Sequence, residues 1–193
     1  METNTKYEVD AEQGAIWSVG EEQEKYTLIL GQAIERYVEE LRTIERRIAS
    51  GETDDDAVVR EIVALNDTVL KICAQFEQEV KDETVIKATR SYFRKRTHAI
   101  LSKSYTINRI RTWPQGYQGD YQTIEVVYRN TPMSDGIGYY LDRYGLSSTL
   151  AEAVRGRIEH LTQLLREELD YRQNPKVLDI ACGSCREISH LVP

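Results

Sequence analysis

Between Leu30 and Phe76 the apolar residues recur at spacings of four and three, and this periodicity constrains the chain more than any other feature. Leu30, Ile34, Tyr37, Leu41, Ile44 and Ile48 make one seam; Val58, Ile62, Leu65, Val69, Ile72 and Phe76 make a second. Residues three and four apart share one face of an α-helix. Ser50-Gly51 lies between the seams, with Thr53 or Asp54 placed to cap the second helix. The seams therefore predict two helices joined by a short turn and packed antiparallel, as in a coiled coil. Each would be roughly 40 Å long at about 1.5 Å per residue. Such a hairpin serves as a scaffold or a dimer contact, and its sharper use is as a partner-binding arm.

Residues 1–20 are polar and weakly patterned, a loose N-terminal tail whose lone Trp17 can fold back onto the body. Beyond the hairpin, Thr84 caps a third predicted helix running to about Ser104. Ile86, Phe93, Ile100 and Leu101 lie on its apolar side, with Thr89 and Thr97 in the same stripe. Charge is segregated along the chain. Residues 1–83 carry a balance of −12, residues 84–119 contain eight Lys or Arg and no acid, and residues 120–193 return to −3. The basic island rests largely on Lys87, Arg90, Arg94, Lys95, Arg96 and Lys103. It reads as a solvated face packed near the acidic hairpin, or as a docking surface for an anionic substrate or its acidic carrier.

Residues 105–144 hold seven of the twelve tyrosines, together with Trp113, Pro114, Gly116, Gly119, Pro132, Gly136 and Gly138. The stretch 111–121 is too rich in Pro and Gly for a helix and reads as an ordered loop. Asp120 is a natural N-cap for a short helix to Arg129. Asn130-Thr-Pro breaks that helix, and Ser134 or Asp135 caps the next, through Ile137, Tyr140, Leu141 and Tyr144. Tyrosines, half apolar and half polar, suit a pocket wall or simple core packing. A long amphipathic helix runs from Leu146 to about Tyr171, capped by Ser147 or Ser148. Leu150, Val154, Ile158, Leu161, Leu164, Leu165 and Leu169 face inward, and Arg155 and Arg157 sit mid-helix, able to reach an anion or a local carboxylate.

The net charge of −7 argues against a general nucleic-acid binder. No apolar run approaches a membrane span, and the polar start is no signal peptide. Three cysteines give no disulfide framework and fit a reducing, cytoplasmic setting. Cys73 and the scattered His98, His160 and His190 offer no second ligand pair for a zinc site at Cys182 and Cys185. His98, a lone histidine in a basic helix, is a conceivable base or a surface residue.

Near the end, Val177, Leu178 and Ile180 form a short apolar run that reads as a buried strand after Pro175. Ala181, Gly183 and Ser184 supply a small-residue turn, and Arg186 to Leu191 resembles the first turns of a helix. Strand, tight turn and helix together make a nucleotide-type binding corner, where backbone N–H groups approach a ligand. Cys182-Gly-Ser-Cys185 also permits a redox dithiol, although only eight residues follow Cys185 where a thioredoxin-like sheet needs more strands. A plain structural turn is the third alternative.

Asp-x-Ala-Cys-Gly-Ser-Cys-Arg-Glu after an apolar strand resembles the first motif of class I S-adenosylmethionine-dependent methyltransferases, usually Asp/Glu-x-Gly-x-Gly-x-Gly. Ala181 and Cys185 replace the first and third glycines, while Asp179 and Gly183 stand in register. Trp-Pro-x-Gly-Tyr-x-Gly-Asp-Tyr and Thr-Pro-Met-Ser-Asp-Gly-Ile-Gly-Tyr-Tyr-Leu-Asp-Arg-Tyr are similar to the region before the cofactor domain in bacterial methyltransferases of the 3-hydroxypalmitate methyl ester biosynthesis group. The resemblance spans roughly Ser91 to Glu187. It implies that Asp179, Ala181, Cys182, Gly183, Ser184 and Glu187 contact S-adenosylmethionine. It further implies that Tyr117, Asp120, Tyr121, Tyr139 and Tyr140 form a lid over the cofactor and an acyl or other small anionic acceptor, with Arg155 a further substrate contact. It assigns no catalytic residue and no metal.

The expected fold is mainly α. A helical cap over residues 21–174, with the long hairpin at its start, is joined to the first strand-turn-helix of a truncated Rossmann-like methyltransferase domain at residues 175–193. A full domain of that kind is a doubly wound sheet of usually about seven strands. On this reading residues 1–193 alone bind S-adenosylmethionine weakly or not at all, whether the truncation is natural or the chain is half of a split protein. A homodimer through the hairpin and an acidic carrier are the further partners it admits. A purely helical interaction or dimerisation module without catalysis is the alternative from another class.

Overall fold

In a computed structural model, residues 21–51, 54–180 and 183–191 are described, and the described secondary structure is helical throughout. The expected tail and its Trp17 lie outside these residues. The chain divides into two compact units, one ending at Ser102 and the other beginning at Lys103. Among the described residues no helix is long and apolar enough to cross a membrane.

The first unit is the hairpin and the helix after it. α1 spans Glu21–Ser50, α2 Asp55–Val80 and α3 Glu83–Leu101. Gly51 ends α1 with φ 76°, a left-handed conformation that glycine adopts without a Cβ penalty. Asp54 caps α2, accepting from the N–H groups of Asp56 and Ala57. The antiparallel pairing shows at both ends. Leu30 and Ile34 of α1 pack with Phe76 and Val80 of α2, and at the turn Arg47 donates to Glu61 at 2.6 Å. Midway the Tyr37 hydroxyl donates to Asn66 Oδ1 at 2.8 Å, so a buried polar pair fits inside the apolar seam.

α3 lies along the hairpin and completes its core. Tyr37 stacks on Phe93 at 6.0 Å, and Val85 joins the Leu30 cluster. The helix is capped by Asp82 rather than Thr84; its carboxylate accepts from Thr84 N and Val85 N, satisfying two N–H groups of the first turn. Thr89 and Thr97 are fully part of the buried stripe, and Thr97 hides its hydroxyl by donating to Phe93 O at 2.7 Å.

The second unit contains α4 (Tyr105–Thr112), α5 (Tyr121–Arg129), α6 (Ile137–Leu146), α7 (Thr149–Asp170) and the four-residue α8 (Arg186–Ser189). α4 is absent from the sequence expectation. Its start is organised by Asp142 of α6, whose side chain is 0% exposed. Oδ1 of Asp142 accepts from Ser104 Oγ (2.6 Å) and Thr106 N (3.0 Å), while Oδ2 accepts from Ser134 Oγ (2.7 Å) and Met133 N (3.0 Å). Ser104 in turn accepts from Ile107 N as the α4 N-cap, and Ser134 accepts from Tyr105 N. Ser134 is thus spent on this network, and Gly136 occupies the N-cap of α6.

Burial pushes the Asp142 carboxyl up, but the four donors outweigh it and hold it below the ordinary aspartate value. Two of those donors are backbone N–H groups on different oxygens. An asparagine there must therefore set its NH2 against one of them.

α7 buries Ile158 and half-buries Val154, Leu165 and Leu169 as expected, but differs at the rest of its packed face. Ala151, Ile158 and Thr162 are buried, whereas Leu150 is 76% exposed and Leu161 and Leu164 are also exposed. The helix carries two apolar stripes, and spacing alone does not say which one meets a neighbour.

The expected strand is the largest difference. Among the described residues no strand forms, and Val177, Leu178 and Ile180 are exposed, Leu178 at 84%. A lone strand has no ladder to satisfy its backbone.

Two outcomes test this packing. A Cβ on Gly138 would lie 2.2 Å from Lys103 O, whereas one on Gly145 meets nothing nearer than 4.0 Å. Gly138→Ala is expected to cost about 3 kcal/mol in urea unfolding, and Gly145→Ala to be neutral or mildly stabilising. Asp142→Asn is expected to cost about 2–3 kcal/mol at neutral pH. Because the folded carboxyl sits below its unfolded value, that difference is complete above about pH 4 and shrinks as pH falls through the folded value.

Candidate functional site

α5 presents Tyr121, Glu125 and Tyr128 at spacings of four and three, hence on one face. The end of the chain lies against that face. A Cβ built on Gly183 would be 3.9 Å from Tyr121 Cβ. Arg186 donates to Glu125 at 3.2 Å, and its guanidinium lies 6.0 Å from the centre of the Tyr128 ring. Arg157 of α7 reaches the Tyr128 hydroxyl at 3.4 Å, and Arg166 donates to His190 O at 3.3 Å. The turn is left-handed at Gly183 (φ 59°) and again at Cys185 (φ 51°). Glycine suits that backbone angle without strain, and the space beside it would accept a methyl group.

The start of α5 is fixed by a buried ion pair. Asp120 is 1% exposed, and its Oδ1 accepts from Arg109 Nη2 (2.6 Å), Gln122 N and Thr123 N. Thr123 Oγ1 donates to Oδ2 and accepts from Arg109 Nε, closing the network. Burial pushes the Asp120 carboxyl up, but Arg109 and Thr123 more than reverse it and keep it below the usual range. Burial likewise opposes the Arg109 charge, and Asp120 overcomes it. Arg109 also lies 5.7 Å from the Tyr105 ring centre. Asp120 therefore acts as helix cap and counter-ion, with both oxygens engaged.

The other residues singled out by sequence fall in several places. Tyr117 is exposed on the loop between α4 and α5, and Tyr121 is exposed at the rim of the Gly183 contact. Tyr140 is buried and meets Tyr139 edge-to-face at 5.1 Å. Tyr139 and Arg155 line an open cleft of about 490 Å³ beside α6 and α7. Asp179 is exposed, Ser184 and Glu187 are partly buried, and Ala181 and Cys182 lie outside the described residues. Cys185 is partly buried. The basic island is largely committed to ion pairs. Arg90 grips both Glu77 oxygens at 2.7 Å, Arg96 pairs with Glu35, and Lys87 pairs with Glu83. Arg96 first, then Tyr92, holds the Glu35 carboxyl low against its burial.

Sequence reasoning passed over Glu125, Tyr128 and Arg186, which make the contact between α5 and the turn. The Tyr-x-x-x-Glu-x-x-Tyr spacing marks Glu125 and Tyr128 as one face of α5, whereas no local signal marks Arg186.

Of the residues implied to hold the cofactor, Gly183 has a left-handed backbone beside Tyr121 Cβ. The strand before them is not formed among the described residues, and Asp179 is exposed. Among the described residues no group of His, Cys, Asp and Glu is placed to hold a metal ion. Compared with protein-family models, curated proteins and solved structures, the chain matches none.

The contact of the turn with α5 is testable by itself. Arg186→Ala is expected to lower amide-exchange protection in residues 183–191 about fivefold, the worth of a partly exposed ion pair. Protection in α4 and α6 is expected to stay unchanged.

Proposed function

We propose that this chain supplies the helical cap and the first cofactor turn of an S-adenosylmethionine-dependent methyltransferase. Its acceptor would be a carboxyl or hydroxyl of an acyl or other small anionic molecule. The observation that supports the reading is the proximity of Gly183 to Tyr121, a Cβ built on the glycine lying 3.9 Å from Tyr121 Cβ on the tyrosine-bearing face of α5. When bound, the cofactor supplies an electrophilic methyl group on a sulfonium. Ala181 to Ser184 would pass their backbone beside its amino-acid portion, with Asp179 and Glu187 as polar contacts. Tyr121 would exclude water from one side. Transfer to an anionic oxygen rests on alignment and electrostatics more than on a strong base, so no catalytic dyad is required. The reading needs a second strand beside residues 177–180, from chain outside those described.

S-adenosylhomocysteine titrated by calorimetry into the protein as its gene encodes it is expected to bind with micromolar affinity, about −8 kcal/mol. Gly183→Val, strained at positive φ, is expected to weaken it about tenfold. Residues 1–193 alone are expected to give weak heat or none. No binding by the gene-encoded protein, or full affinity in Gly183→Val, contradicts the proposal.

A second reading, a helical self-association module, is favoured by one observation. An open groove of about 530 Å³ runs between α1 and α2, with Ile29, Ala33, Leu65 and Ile72 beside Arg36, Glu40 and Glu61 in its wall, a surface on which a second copy could pack. It entails a dimer by sedimentation whose stability is indifferent to the cofactor.

A further inference from the structure

The cleft beside α6 and α7 has a composition that the turn at Gly183 does not explain. Asn130, Tyr139, Arg143, Leu146, Glu152 and Arg155 contribute to its wall, and no residue of the 183–191 turn does. Arg155 is partly buried and held in place by two backbone carbonyls. Its Nη1 donates to Leu146 O at 3.0 Å, at the end of α6, and to Val127 O at 3.5 Å, in α5. Both acceptors are neutral. No carboxylate of the described residues pairs with this guanidinium, although Glu152 lies in the same wall. Elsewhere in the chain Arg47, Arg90, Arg96 and Arg109 each have a carboxylate partner.

A guanidinium whose protein partners are neutral carbonyls keeps its full charge for an anion that enters the cleft. Fixing the guanidinium through one nitrogen leaves the rest of its planar fork of donors preset for an oxyanion.

The neighbouring groups are of the same kind. The Tyr139 hydroxyl and the Asn130 amide make no side-chain hydrogen bond among the described residues. Arg143 lies 5.9 Å from the Tyr139 ring centre in the same wall. The Arg155 guanidinium, one phenol and one amide thus face the cleft together. The volume suits a phosphate, or a carboxylate with a few carbons attached.

We infer that this cleft is an oxyanion-binding site for a small phosphate- or carboxylate-bearing molecule, with Arg155 as its anchoring cation and Tyr139 as a hydroxyl donor. The site does not depend on the methyl-donor reading. If that reading also holds, the cleft takes the anionic end of the acceptor.

The test is calorimetric titration of the protein with inorganic phosphate and, separately, with hexanoate, at constant ionic strength set by chloride. Saturable millimolar binding of either is expected, and the tighter one identifies the source of the oxyanion. Arg155→Lys, which keeps the charge but loses the fork, is expected to weaken binding about tenfold. Tyr139→Phe removes one hydroxyl without altering packing and is expected to weaken it about threefold, so the test survives if the lysine variant misfolds. No saturation by either probe up to about 20 mM, well above millimolar affinity, overturns the site. So does parental affinity in the Tyr139→Phe variant. Neither probe contains the methyl donor, so failure of S-adenosylhomocysteine binding leaves this outcome intact.

Discussion

The shorter helices of this protein depend on one buried carboxylate. Asp142 forms no ion pair among the described residues; four neutral donors share its charge, two from serines and two from the backbone. Burying a carboxylate is costly unless every lone pair is answered. The same four bonds therefore tie three pieces of chain to one point: the start of α4, the loop at Met133–Ser134, and α6 itself. At its other end α4 is held by Arg109, which meets Asp120 at the start of α5. An eight-residue helix is marginal in isolation, and here it stands between two buried carboxylates. Through α4 the position of Asp142 is passed to α5, whose Tyr121, Glu125 and Tyr128 face the last turn of the chain.

The hairpin was legible because its signals are local and redundant. Twelve apolar positions at helical spacing, a glycine at the turn and an aspartate after it all ask for the same structure. The α5 cap at Asp120 was legible for a like reason. α4 was not, since Tyr105–Thr112 carries little apolar periodicity and owes its helix to Ser104 and a carboxylate thirty-eight residues away. The face of α7 was not legible either. Leu150, Leu161 and Leu164 have as much claim to a core as Ala151 and Thr162, and only the neighbours decide. Val177–Ile180 has the composition of a strand, but a strand is a property of a pair. Nothing local could announce whether the partner is at hand.

The candidate residues show the same division. The Gly183 turn and the tyrosines could be marked from sequence by composition alone, which does not separate a site from a structural turn or core packing. The network that spends Asp120 on a cap and an arginine was only half visible, through its capping role. The cleft containing Arg155 was visible as a residue but not as a site. Its meaning comes from the carboxylate its guanidinium lacks, in a chain where Arg47, Arg90, Arg96 and Arg109 each have one. The basic island shows the converse. Its lysines and arginines looked available in sequence, but Arg90 and Arg96 pair with the acidic hairpin and Lys87 with Glu83 of its own helix.

The proposed activity depends on the last turn of the chain lying beneath the tyrosine face of α5. Nuclear Overhauser contacts in residues 1–193 test this most directly, since they report proton pairs a few ångströms apart. A cross-peak between the Gly183 α-protons and the Tyr121 β-protons is predicted, and another between the Arg186 side chain and the Tyr128 ring. If both are absent while the α4–α6 contacts around Asp142 are present, the turn does not sit on α5 and the functional reading built on it fails.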